Sequence, residues 1–86
     1  MGTIVLKKES ISERIPISAK KTIKLISRKG VHYRFDMHNS STTQKLSYHI
    51  SESTLFDLEK ISPPIEIDFI QFKSFGQKCI IEYETE

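Results

Sequence analysis

Residues 20–35 read KKTIKLISRKGVHYRF, and the way the chain turns in the middle of this stretch decides the fold. Two runs with period-two alternation, residues 21–27 and 31–38, flank Arg28, Lys29 and Gly30, a match to a three-residue hairpin loop closed by glycine in the left-handed region. Counting outward from that loop pairs Leu25 with Tyr33, Ile23 with Phe35 and Lys21 with Met37 on one face. The other face then holds Ile26 beside His32, Lys24 beside Arg34 and Thr22 beside Asp36. One face is core and the other is basic. A slip of one residue would bury Lys24 and Arg34, so the alternation is strongly specified.

Working outward, residues 3–9 and 11–18 read as two earlier strands. The second carries Ile11, Ile15 and Ile17 on one face, and Pro16, which cannot donate to a ladder, marks an edge or an end. After the polar loop 39–44, residues 45–51 direct Leu46, Tyr48 and Ile50 inward. With Phe35 opposite Tyr48, His49 falls beside Arg34 and His38 beside Lys45. The period then changes. Leu55, Leu58 and Ile61 recur at helical spacing, Thr54 and Asp57 form a capping box, and Pro63 with Pro64 forbids continuation, which predicts a short helix over about residues 54–61.

The last two runs, residues 65–73 and 78–86, are joined through Ser74, Phe75 and Gly76. Pairing Lys73 with Gln77 buries Ile67, Phe69, Gln71, Cys79, Ile81 and Tyr83 on one face. Its reverse carries Ile70, Phe72 and Ile80 near the turn and the carboxylates of Glu66, Asp68, Glu82 and Glu84 at the far end. The expected fold is therefore a single α+β domain spanning 1–86. It is a small, mostly antiparallel sheet or partly open barrel of about six strands, with one short helix between strands four and five.

Composition agrees with sheet: the 86 residues include thirteen isoleucines but only one alanine, Ala19. A chain of this size hides roughly 60% of its unfolded surface, and with no Trp and a hydrophobic share of 37% the core is thin. Self-association or a bound partner, with a homodimer as the simplest form, is the expected remedy. No run reaches the ~18 apolar residues of a membrane span. Ile4, Val5 and Leu6 are too few for the ~7–15-residue heart of a signal peptide. Cys79 is the single cysteine, so an internal disulfide is impossible and a reducing, cytoplasmic setting is expected.

Charge is distributed unevenly. Residues 1–45 hold ten Lys or Arg against three acids, whereas residues 46–86 hold three against eight, a dipole concealed by a net charge of +2. The basic stretch offers Lys20, Lys21, Lys24, Arg28, Lys29 and Arg34 as phosphate contacts, with His32 as the available stacking platform. The acidic quartet lacks a DxDxDG loop, and histidines 32 and 38, six residues apart along one strand, are about 20 Å from each other, so no metal and no cofactor is expected. Cys79 pairs with Gln71 rather than a base, and GxSxG, HExxH and glycine-rich phosphate loops are absent from the sequence.

These observations lead away from an enzyme. They point to a small protein-binding or regulatory module acting through contact or self-association, in a size and composition that suit a regulator from a virus or mobile element. The expected contact surface is Phe72, Phe75, Ile70 and Ile80 rimmed by Glu66, Asp68, Glu82 and Glu84. The alternative is a nucleic-acid or anionic-ligand binder that uses the basic stretch 20–35.

Overall fold

A computed structural model of the chain describes residues 2–17, 20–28, 30–61 and 66–86. Among these residues eight strands are present: β1 (Gly2–Leu6), β2 (Ile15–Pro16), β3 (Thr22–Ile26), β4 (Tyr33–His38), β5 (Lys45–Ile50), β6 (Thr54–Asp57), β7 (Phe69–Ser74) and β8 (Cys79–Thr85). They form two antiparallel sheets in the orders β1-β8-β3-β6 and β2-β7-β4-β5. The protein is all-β rather than α+β, and its two sheets do not close into a barrel.

β3 and β4 do not form the expected hairpin. β3 pairs with β6 and β8, whereas β4 pairs with β5 and β7, so the stretch between them carries the chain from one sheet to the other. The alternation itself is as read: Ile23, Leu25, Tyr33, Phe35 and Met37 are all fully buried. They meet face to face across the sandwich instead of side by side in one sheet. Period-two patterning specifies only which face of a strand is apolar, and both arrangements satisfy it. Gly30 does adopt a positive φ of 82°; Lys29 lies outside the described residues.

The expected helix is absent among the described residues. Thr54–Asp57 is instead an edge strand, with Phe56 opposite Ile23 and Leu55 opposite Lys24, followed by a single 3₁₀ turn over Leu58–Lys60. The capping signal was real but local: Asp57 Oδ1 accepts the Glu59 N–H at 3.0 Å and starts only that turn. Eight residues are too few to hold a helix by propensity, since isolated helices below ~12–15 residues are marginal in water. Pairing with β3 also gives Phe56 a place in the aromatic core, 5.1 Å from Phe35 and 5.0 Å from Tyr48 between ring centroids. Pro63 and Pro64 fall outside the described residues.

The β4–β5 pair matches its expected register, with Phe35 opposite Tyr48, Arg34 opposite His49 and His38 opposite Lys45. Its connection is built on Asn39, whose Oδ1 accepts the N–H groups of Ser41 and Thr42. β7 and β8, like β3 and β4, lie in opposite sheets, which overturns the second expected hairpin. The inward face of β8 holds Cys79 and Ile81 as read, but β7 turns Ile70, Phe72 and Ser74 inward, the opposite of the expected face.

The N-terminal segment lies along β7 as an interrupted edge. Ile11 stands opposite Lys73 and Ile15 opposite Ile70, four residues against three, so one extra residue bulges from the edge. Ser12 Oγ fills the gap by accepting the Phe72 N–H at 2.9 Å. The extra residue inverts the alternation. Ile17 is buried and Ile15 half-buried, but Ile11 is 55% exposed. Pro16 sits in the edge strand that its missing donor requires.

Phe35 touches Phe56 of the facing sheet and, at 5.2 Å, Phe72 of its own. Phe35→Ala should therefore cost about 3–5 kcal/mol, a large fraction of the stability of a domain in the usual range of about 5–15 kcal/mol. Leu55→Ala, at a 65% exposed position, should change it by less than about 0.5 kcal/mol. Urea unfolding of the two variants checks the contrast.

Candidate functional site

The expected contact surface is divided by the fold. Ile70 and Phe72 are fully buried, because β7 selects its inward face independently of β8 once the two lie in different sheets. Phe69, expected in the core, lies instead on the outer face, with His38 stacked on it at 4.5 Å and the Arg14 guanidinium 4.8 Å from the ring centroid. Phe75 stays at the tip between β7 and β8, 39% exposed, with the His49 ring 5.6 Å away. Ile80 is half-buried opposite Val5.

The four carboxylates separate with the sheets. Asp68 Oδ2 accepts the Ser40 hydroxyl at 2.6 Å and the Ser40 N–H at 2.9 Å, and these bonds hold its carboxyl below the usual range. The Glu66 carbonyl accepts Asn39 Nδ2 at 2.7 Å. Glu82 and Glu84 stand on the outer face of the other sheet, Glu82 3.3 Å from Arg28 and Glu84 opposite Lys24.

The basic stretch is divided in the same way. Lys24 points outward from one sheet and Arg34 from the other, so they occupy opposite sides of the molecule. Arg34 donates through Nε at 3.1 Å and lies 3.0 Å away through Nη2 from Asp36 Oδ2. Lys20, Lys21 and His32 are exposed, but Tyr33 is buried with its hydroxyl 3.3 Å from Ser27 Oγ. Burial pushes the Tyr33 phenol up.

The Cys79 thiol is fully buried, and desolvation pushes it up as well. His38 is pushed down, first by burial and then by Lys45, Arg14 and Arg34, against the opposing pull of Asp36. Its Nε2 is enclosed without a partner among the described residues, so a second ring N–H would go unsatisfied.

Sequence reasoning missed the side of the sandwich where β1 and the β2 segment meet. There Ile4, Ile11, Ile15, Val5 and Tyr83 line an open groove of about 370 Å³, with Glu13 among its lining residues. Val5 is 58% and Ile11 55% exposed. Tyr83 reaches across Gly2, its partner in the ladder, and a Cβ at that position would collide with the ring. Among the described residues nothing pairs with the outer edge of β1. The available signal was Pro16 beside three isoleucines, which marks an edge too short to cover its own apolar side chains.

Comparison with protein-family models, curated proteins and solved structures returns no match.

Two measurements check these assignments. The unfolded chain takes up a proton at a histidine near pH 6.5 while folded His38 resists it. Stability should therefore be full above about pH 6.5 and fall as pH drops below that value, and His38→Phe should flatten this slope in urea unfolding at pH 7.5 and 5.5. Cys79 should react with an aromatic disulfide reagent only at the rate of unfolding, and a fast reaction in the native state would contradict its placement.

Proposed function

We propose that this chain is a non-enzymatic module that binds another polypeptide, taking an extended apolar segment as an added strand on β1. The observation that carries the reading is the unpaired edge of β1 beside the groove of Ile4, Ile11 and Ile15. In strand addition, main-chain hydrogen bonds supply affinity and pockets for alternate side chains supply specificity. The unpaired edge and the groove beside it would supply these two components. An incoming strand would bond to the free groups of Gly2–Leu6 and lay every second side chain into the groove.

Other features support the same reading. Three side chains that could serve catalysis are committed to structure, with Cys79 in the core, Asp36 on Arg34 and Asp68 on Ser40. The cations that would grip a polyanion are distributed over two faces, and Arg28 and Arg34 already have carboxylate partners. Among the described residues no helix is long and apolar enough to cross a membrane.

Selection of a displayed library of ten-residue peptides on the purified chain should enrich sequences that alternate apolar with polar residues. The double substitution Val5→Asp, Ile11→Asp should reduce their affinity at least ten-fold while leaving thermal unfolding within a few degrees of the parent. Failure of any alternating peptide to emerge, or affinity indifferent to the double substitution, would sink the proposal. Concentration-dependent dimerisation abolished by the same pair would identify a second copy of the chain as the occupant instead.

A further inference from the structure

Two histidines converge on the outer face beside the β4–β5 pair. Tyr33 pairs with Ile50 and Arg34 with His49, so His32, the residue before β4, lies diagonal to His49 on the same outer face. His32 Nδ1 and His49 Nε2 are 3.0 Å apart, with ring centroids at 5.2 Å and planes at 88°. Both side chains are exposed. Beside them Phe75, Gly76, Gln77 and Gly30 join His32 in lining a shallow cleft of about 330 Å³.

At this separation the two nitrogens cannot both point an N–H at each other, so at least one presents a lone pair to its neighbour. A late first-row divalent ion binds imidazole nitrogen at about 2.0–2.1 Å. An ion held by two nitrogens 3.0 Å apart would thus subtend an angle of about 90° at the metal. Neutral imidazole is a preferred ligand of zinc, copper and nickel, and hard cations such as magnesium prefer oxygen. Arg34, across the ladder from His49, directs its guanidinium to Asp36 and is electrostatically occupied.

We propose that His32 and His49 form a two-histidine chelate for copper(II), nickel(II) or zinc(II). Water or a side chain from a bound protein fills the remaining coordination positions. This site is independent of the β1 groove. His38 takes no part, since its ring is stacked on Phe69 and its Nε2 is enclosed.

The untagged chain should be retained on immobilised copper or nickel and eluted by imidazole. Titration with copper(II) or zinc(II), followed by amide and imidazole NMR signals, should shift the resonances of His32 and His49. His32→Ala and His49→Ala should each weaken binding at least ten-fold with unfolding unchanged, His38→Ala should bind like the parent, and magnesium should produce no shift. Absence of binding by the parent, single variants within two-fold of it, or an equal loss in His38→Ala would each overturn the assignment.

Discussion

The structure depends on the contact of Phe35 with aromatic rings from both sheets. Phe35 stands on β4, meets Phe72 of its neighbour β7 at 5.2 Å, and meets Phe56 of the facing sheet at 5.1 Å. For Phe56 to arrive there, residues 54–57 must be a strand, and that strand needs β3 as its partner in the sheet opposite β4. Aromatic side chains bury about 150–250 Å² each. In a chain with no Trp, Phe35, Phe56, Phe72 and Tyr33 bring four aromatic rings together between the sheets. The edge strand over residues 54–57, the crossings between sheets from β3 to β4 and from β7 to β8, and the inward turn of Phe72 all agree with filling that layer.

A sandwich of this size leaves four edge strands, and the chain treats them differently. β2 is reduced to two residues, carries Pro16 and follows a bulge, three devices that discourage further pairing. β5 turns Lys45 and His49 to solvent, and β6 is short. Among the described residues β1 carries none of these devices and lies beside the open groove of about 370 Å³. The segment between β1 and β2 is held instead by Ser74, whose buried hydroxyl donates to the Lys7 carbonyl and accepts the Ser10 N–H. The groove therefore has one wall fixed by hydrogen bonds and, among the described residues, one open edge.

Much of the local pattern was legible in the residues. The inward sets of β3, β4, β5 and β8, the β4–β5 register with His49 beside Arg34, and the edge position of Pro16 all follow from alternation and from the missing proline donor. The faces of β7 were not legible, because its outer positions Phe69, Gln71 and Lys73 begin with an aromatic as large as its inner ones. The His32–His49 pair was implicit in the register of β4 with β5, since a diagonal neighbour follows from Phe35 opposite Tyr48. Counting along a single strand concealed it. For the groove at β1 the sequence offered only the edge signal of Pro16 beside its isoleucines, because the groove is formed by residues from two sheets.

Sequence by itself determined that this chain makes strands, which side of most of them is apolar, and that charge is concentrated toward opposite ends of the chain. Only the tertiary structure decided which strands are neighbours. Alternation is a property of one strand and is satisfied equally by a hairpin and by a crossing between sheets. The choice between them depends on long-range packing of Phe35, Phe56 and Phe72, residues far apart in the chain. That choice placed Lys24 and Arg34 on opposite faces, buried Ile70 and Phe72, and left β1 open, because each strand carries its outer side chains with it to whichever sheet it joins.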